Sequence, residues 1–186
     1  MVRLAGAALS SLFFLIILSS FELPLVPPTG NSKGKVEWLS PEEAYELNAK
    51  EPRKMLVDLY TDWCGWCKVM DRETYSKAEI AEYINKNYYP IKFNAEQRQS
   101  IKIGDRNYHF IQRGRGGIHA WAMVLSQNKP SFPTTVFLDE KMKIIQPIPG
   151  YIKPAEFYRI VTFFGGDHYK NEPFEDFVKG TFEQLY

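Results

Sequence analysis

Two cysteines stand in this chain of 186 residues, and they lie three positions apart, in Trp63-Cys64-Gly65-Trp66-Cys67-Lys68. A pair so spaced can open to a dithiol and close to a disulfide. Thiolate is the reactive form, so the question is what lowers a thiol below its ordinary pKa of about 8.5. Met55-Leu56-Val57-Asp58-Leu59-Tyr60 is a short apolar run bounded by polar residues and predicts a strand buried on both faces. After Cys64 the spacing lengthens toward helical, with Cys67, Val69 and Met70 on one side and Lys68, Asp71 and Arg72 on the other. The first cysteine therefore sits where a strand hands over to a helix. The unpaired amides and partial positive charge of a helix N-terminus favour an anion there. Cys64 is the expected nucleophile, and Cys67, a turn further in, the resolving thiol.

Other uses of the pair fit less well. Zinc takes four ligands and the pair supplies two. His109, His119 and His168 are scattered with no paired spacing, so no metal is expected. A disulfide framework is excluded, because two cysteines this close cannot staple a fold. A structural disulfide in an inert relative stays open at this point. Asp58 is the second candidate, since an acid inside an apolar strand is costly to bury unless paired. It is either an edge-strand residue facing water or one of the perturbed acids that active sites collect.

Three blocks occur in one order along the chain: Asp58 six residues before Cys64 of Trp63-Cys64-Gly65-x-Cys67-Lys68, then Phe132-Pro133-Thr134-Thr135-Val136-Phe137-Leu138, then Gly150 after the next hairpin. Over about Trp38 to Phe164 they resemble the thioredoxin family, and the pattern is more similar to its exported bacterial members than to the small cytosolic one. The departures are Trp66, where thioredoxin has proline, and a longer segment between Phe93 and Pro133. The resemblance implies an α/β thioredoxin fold, a central mixed sheet flanked by helices, with an inserted β-hairpin before the cis-proline strand and a C-terminal helical tail. It places Asp58 behind the disulfide, where a buried carboxyl with a raised pKa takes the proton from Cys67. It makes Pro133 a cis proline against the sulfurs and Phe132 a backbone partner for an extended substrate. Trp63, Gly65, Trp66, Phe132, Pro133 and Gly150 together form the implied substrate-binding surface. The implied activity is thiol–disulfide exchange, in the reducing direction, on disulfides of protein clients, with no cofactor and with a membrane-bound electron donor restoring the dithiol. The same parts run backwards as an oxidase or isomerase. Trp66 bears on the potential, which the residues between the cysteines tune. The rival from another class is a non-enzymatic client-binding module or chaperone.

The chain suits one domain with appendages. Its net charge of +1 demands no nucleic acid as partner. Leu4 to Phe21 carries no charge and follows Arg3, so residues 1–26 read as a signal peptide or an N-terminal membrane anchor, with a slight lean to the former. That segment is a little short of the roughly 20 residues a span takes. The expected location is extracytoplasmic, periplasmic or secreted. Residues 27–35 read as a linker, 36–166 as the thioredoxin-like domain with 97–117 inserted, and 167–186 as the tail.

Within the domain, Val36 to Leu39 predicts a short edge strand. Ser40-Pro41-Glu42-Glu43 is a capping box opening a helix to about Lys50, and Ser76-Lys77-Ala78-Glu79 a second one. Tyr88 to Asn94 predicts a strand parallel to the first. Ile101–Ile103 and Tyr108–Phe110 predict a hairpin, Arg113 to Gly117 a flexible loop and Ile118 to Leu125 a helix. Thr134–Leu138 and Lys143–Gln146 form an antiparallel pair. Pro154 to Phe164 is a helix stopped by Gly165-Gly166. Phe174, Phe177, Val178 and Phe182 recur at helical spacing, a face for docking on the domain or for a partner. Arg98, Lys102, Arg106, Arg113 and Arg115 stand against Asp105 alone; a solvated face is expected, and a platform for an acidic client is the sharper alternative.

Overall fold

In the computed structural model the structure describes Met1 and residues 34–186. The expected signal or anchor, and most of the linker, lie outside the described residues. Four strands form the central sheet in the order β2-β1-β7-β8. They are β1 (Lys54–Tyr60), β2 (Tyr88–Asn94), β7 (Thr134–Leu138) and β8 (Ile144–Pro149). The β1–β2 pair is parallel, and β7 and β8 run antiparallel to their neighbours. A parallel pair needs a long crossover, and here the helices between residues 65 and 87 supply it. β1 is buried along nearly its whole length, as a strand covered on both faces must be.

Alternation along β1 divides the core. Met55, Val57 and Leu59 pack on one side with α1 (Pro41–Lys50), α4 (Ala120–Leu125) and the segment between β2 and α4. Leu56 packs on the other with α2 (Gly65–Met70), α3 (Ala78–Asn87) and α5 (Pro154–Gly165). Asp58 shares the face of Leu56. The edge strand β8 carries Pro147 and Pro149, which a sheet edge tolerates because a proline has no N–H to pair.

Five local expectations are corrected. Val36–Leu39 forms no strand beyond a single parallel bridge from Leu39 to Ile91. The backbone there is captured instead by Asn85, whose Oδ1 accepts from Glu37 N–H (2.9 Å) and whose Nδ2 donates to the Lys35 carbonyl (2.8 Å). The Ser40 capping box forms, but the Ser76 one does not. The helix begun at Gly65 continues through a π-helical turn, Asp71–Tyr75, and Ser76 Oγ donates back to the Arg72 carbonyl, so it closes that helix rather than opening α3. The inserted segment holds two hairpins rather than one. β3 (Ile101–Ile103) pairs with β4 (Arg106–Tyr108), and β5 (Phe110–Arg113) pairs with β6 (Gly116–His119). Arg113–Gly117 is therefore a tight turn with its flanking strand residues. Ile118 and His119 end a strand, and α4 starts only at Ala120, capped by the His119 side chain.

The tail is helical from α6 (Phe174–Asp176) through a π-helical turn (Phe177–Thr181) to α7 (Phe182–Leu185). It docks on α5: Phe177 is fully buried and contacts Phe163, while Phe182 and Tyr186 meet Tyr158.

Candidate active site

Cys64 and Cys67 are closed as a disulfide. Cys64 is the N-cap of α2, and its sulfur accepts the Cys67 amide N–H at 3.0 Å. That N–H would serve a Cys64 thiolate in the same way, which is the physical basis for a lowered thiol pKa at this position. Both cysteines are almost covered, whereas Trp63 and Trp66 are 68% and 62% exposed. Two tryptophans thus form the outer rim around nearly buried sulfurs. Each is held from the side. Trp63 donates from Nε1 to the Glu96 carboxylate (3.0 Å) and meets Phe132 edge-on. Trp66 stacks on Tyr151 with ring centres 5.6 Å apart, and Tyr151 Oη donates to Glu73 (3.1 Å).

A groove lined by Trp66, Phe132, Pro133, Gly150 and Tyr151 runs beside the rim. The Phe132–Pro133 bond is cis. Gly150 N–H donates to the Pro133 carbonyl (2.7 Å), which joins the two loops that make the groove floor. At φ +97° Gly150 occupies backbone space that other residues rarely enter. The structure therefore brings Trp66, Phe132, Pro133 and Gly150 to one groove. Trp63 stands on its margin through Phe132, and Gly65 begins α2.

Beneath the helix lies a knot of charge. Asp58 is 1% exposed and sits in a central strand, so the water-facing alternative is overturned. Lys92, its register partner on β2, donates from Nζ to Asp58 Oδ2 (2.9 Å) and also to Asp71. The rings of Trp38, Tyr60 and Tyr75 surround that ammonium at 5.2, 5.2 and 5.9 Å. Asp58 Oδ1 is buried and finds no hydrogen-bond partner among the described residues. Burial pushes the Asp58 carboxyl up to about 6; Lys92 pulls it back in part, and the Asp71 charge adds to the rise. For Lys92 burial works against the charge, but the two carboxylates outweigh it and hold its pKa above the ordinary value. Asp71 follows Cys67 by four residues, one helical turn, and its amide bonds the Cys67 carbonyl. Cys67 and Asp71 therefore stand on one side of the same helix, and Lys92 ties Asp71 to Asp58. Lys92 and Asp71 also line a rear pocket with Trp38, Tyr75 and Ser76.

Sequence reasoning missed Lys92 and placed Asp71 only on the polar side of a helix. A signal existed for Lys92: it is the lone charge in the strand Tyr88–Asn94, as Asp58 is the lone acid in its own, and parallel pairing sets the two side by side. Tyr151 and Glu96 had no such signal. The three histidines are apart in role. His109 bonds Ser100, His119 caps α4, and His168 lies against Phe177. No group of three or more His, Cys, Asp or Glu among the described residues is arranged to hold a metal ion.

The family model described as Thioredox_DsbH, protein of unknown function, DUF255, matches residues 30–153, more than half of the chain. The chain belongs to this family. Among curated relatives, the rat protein "Spermatogenesis-associated protein 20" is 27% identical over 83 residues, which cover 44% of this chain and 10% of that protein. An uncharacterized protein of Archaeoglobus fulgidus is 25% identical over 92 residues, covering 50% of this chain and 72% of its own length. The chain thus spans about a tenth of the length of the rat relative it matches. Among solved structures, one titled "DsbH Oxidoreductase" superposes with a TM-score of 0.51 at 16% identity, covering 71% of this chain and 85% of the other. A thioredoxin from Thermus thermophilus gives 0.52 at 18% identity, covering 72% and 92%. At these identities the likeness is one of fold, and the fold is that of thioredoxin. Among the described residues, no helix is long and apolar enough to cross a membrane.

Proposed function

We propose that this protein is a thiol–disulfide oxidoreductase that reduces disulfides of extracytoplasmic protein clients. One observation carries the reading most: a disulfide whose first sulfur caps a helix and whose second cysteine lies one helical turn before Asp71, which Lys92 ties to the buried, under-bonded Asp58 with its carboxyl pushed up to about 6. Structural disulfides have no use for such an acid. A solved fold-mate titled as an oxidoreductase points the same way.

The reaction starts from the dithiol. Cys64 thiolate attacks one sulfur of the client disulfide, that S–S bond breaks, and a mixed disulfide forms while the released client thiolate takes a proton from water. Asp58, ionised above pH 6, removes the Cys67 proton. Cys67 thiolate then attacks the Cys64 sulfur, and the second client thiol leaves. The client has gained two electrons, and the protein holds the Cys64–Cys67 disulfide. A dithiol on a membrane-bound electron donor returns both electrons by the same exchange. Trp63, Gly65, Trp66, Phe132, Pro133 and Gly150 seat the client chain in the groove, with the Phe132 backbone as its hydrogen-bonding edge. The uncharged leader-like stretch of residues 4–21 supports an extracytoplasmic setting, cleaved or anchored.

The test is turnover of a protein disulfide with an excess of small dithiol. Wild type should reduce it and Cys64→Ser should not; unchanged turnover in Cys64→Ser overturns the reading and leaves a client-binding module. The potential of the couple decides direction. A value near the thioredoxin end, about −270 mV, supports a reductant, and one near −120 mV makes the protein a disulfide donor.

A further inference from the structure

We propose that the two hairpins between β2 and α4 are a docking platform for an acidic segment of the client protein. The inference rests on the thiol–disulfide reading above and names the kind of client that the site takes.

Charge is the first observation. Residues 97–117 hold five arginines and lysines against one aspartate, a net +4, while the whole chain nets +1, so the remainder nets −3. A merely solvated face mixes its signs; this segment concentrates one. Arg98, Lys102, Arg106, Arg113 and Arg115 are all exposed.

Placement is the second. Ala95, the first residue beyond β2, donates its N–H to the Tyr60 carbonyl (2.8 Å), where β1 ends four residues before Cys64. The base of the second hairpin is bonded to that same residue, His119 N–H to the Ala95 carbonyl (2.7 Å). Glu96 accepts from the indole of Trp63, the neighbour of Cys64, and Arg98 follows two residues on with its guanidinium over the Phe110 ring at 4.8 Å. The basic hairpins and the aromatic rim thus leave the same end of the sheet, where β1 and β2 finish.

Order is the third. Ile101, Ile103 and Ile118 anchor the hairpins in the core, and Lys102 N–H bonds Glu42. Gln112 Nε2 ties the second turn by donating to the Gly114 and Gly116 carbonyls, both at 2.8 Å. A Cβ on Gly117 would lie 2.4 Å from the Phe110 ring and the Ile111 carbonyl, so the hairpin closes tightly on itself. Arg106 and Arg113 stand on strands and Arg115 in the tied turn, so they lose little freedom on binding, and their planar forks match carboxylates two bonds at a time. The partner at this end of the sheet must also bring a disulfide to Cys64, which selects a protein over a nucleic acid or a lipid surface.

The experiment uses the full chain, a small dithiol as reductant, and two disulfide-bonded peptides that differ only in Asp/Glu or Ser/Gln flanks, with a small neutral aromatic disulfide as control. At low salt the acidic peptide should show a kcat/KM about tenfold or more above the neutral one, a difference that shrinks as salt rises. The triple variant Arg106→Glu, Arg113→Glu, Arg115→Glu should erase the difference and leave the neutral peptide and the small disulfide unaffected. The salt dependence of wild type decides the matter even where that variant folds poorly. Equal rates on both peptides, or a preference that survives the variant or high salt, overturn the proposal. So does binding to anionic phospholipid vesicles without peptide discrimination, which assigns the face to a membrane. Failure of wild type to reduce even the small disulfide overturns the underlying thiol–disulfide reading instead.

Discussion

Strand β1 buries a charge near each end, and the two are handled differently. Lys54, at its start, is 5% exposed and forms ion pairs with Glu140 (3.0 Å) and Asp167 (2.9 Å). Both acids stay about two-fifths exposed, and Asp167 also holds Lys170. Burial works against the Lys54 charge, but these partners outweigh it and raise its pKa. The result is a rivet that joins the strand to the β7–β8 turn and to the segment after α5. Asp58, four residues on, is as deeply buried, yet one of its oxygens has no partner among the described residues and its carboxyl titrates near 6. A buried charge that meets two partly exposed counter-charges stabilises a fold. One left short of a bond, with its pKa raised toward neutrality, is the group that the proposed mechanism uses to take a proton.

The largest expected contrast is in turnover. Cys64→Ser should abolish reduction of a protein disulfide, while Lys54→Met should leave the rate per folded molecule unchanged; an active-site titration alongside the rate assay checks both. Next, Asp58→Asn should slow resolution of the mixed disulfide on the order of 10²-fold at pH 7 and remove the rise in rate through about pH 6, followed by quenched-flow trapping of the intermediate. Third, Lys54→Met should cost about 2 kcal/mol in denaturant unfolding, discounted from the larger values for buried pairs because its two acids reach solvent. Glu140 and Asp167 are held below their ordinary pKa: burial alone would raise them, but a backbone N–H and then Lys54 outweigh it for Glu140, and Lys170 and then Lys54 outweigh it for Asp167. The stability that they lend is therefore present at neutral pH and lost as pH falls through their folded-state values, so wild type and Lys54→Met should converge in acid.

The same unfolding curves should show the opposite slope at the other end of the strand. Asp58 titrates near 3.8 unfolded and about 6 folded, so its burial costs nothing below the lower value and disfavours the fold as pH rises through 6. Asp58→Asn should therefore stabilise the protein by about 2 kcal/mol at pH 8, allowing for the bond that Lys92 loses, and by nothing at pH 3.5. Smallest of all, Trp66→Ala should raise KM a few-fold with little change in kcat, since it removes one wall of the groove and no reacting group.

The sequence by itself determined what is local or periodic. The dithiol at a strand-to-helix junction, the buried runs of β1 and β2, the Ser40 cap and the apolar face of α5 depend on neighbours a few residues apart, and all stand in the structure. Even the oddity of Asp58 was visible, because a lone acid in an apolar run needs no third dimension to be noticed. Only the tertiary structure decided which partners met these residues. Lys92 reaches Asp58 because parallel pairing sets the register of two strands 34 residues apart, and Asp71 joins them because a π-helical turn follows α2 directly. That same turn consumed Ser76 and cancelled a cap that looked complete. Val36–Leu39 had the composition of a strand and lost it to Asn85, far along the chain. The second hairpin escaped notice because its strands are exposed and carry little apolar alternation. A cap or a period is a contest among adjacent residues, but where one end of a strand finds its counter-charge and the other does not is a contest that only the folded chain can settle.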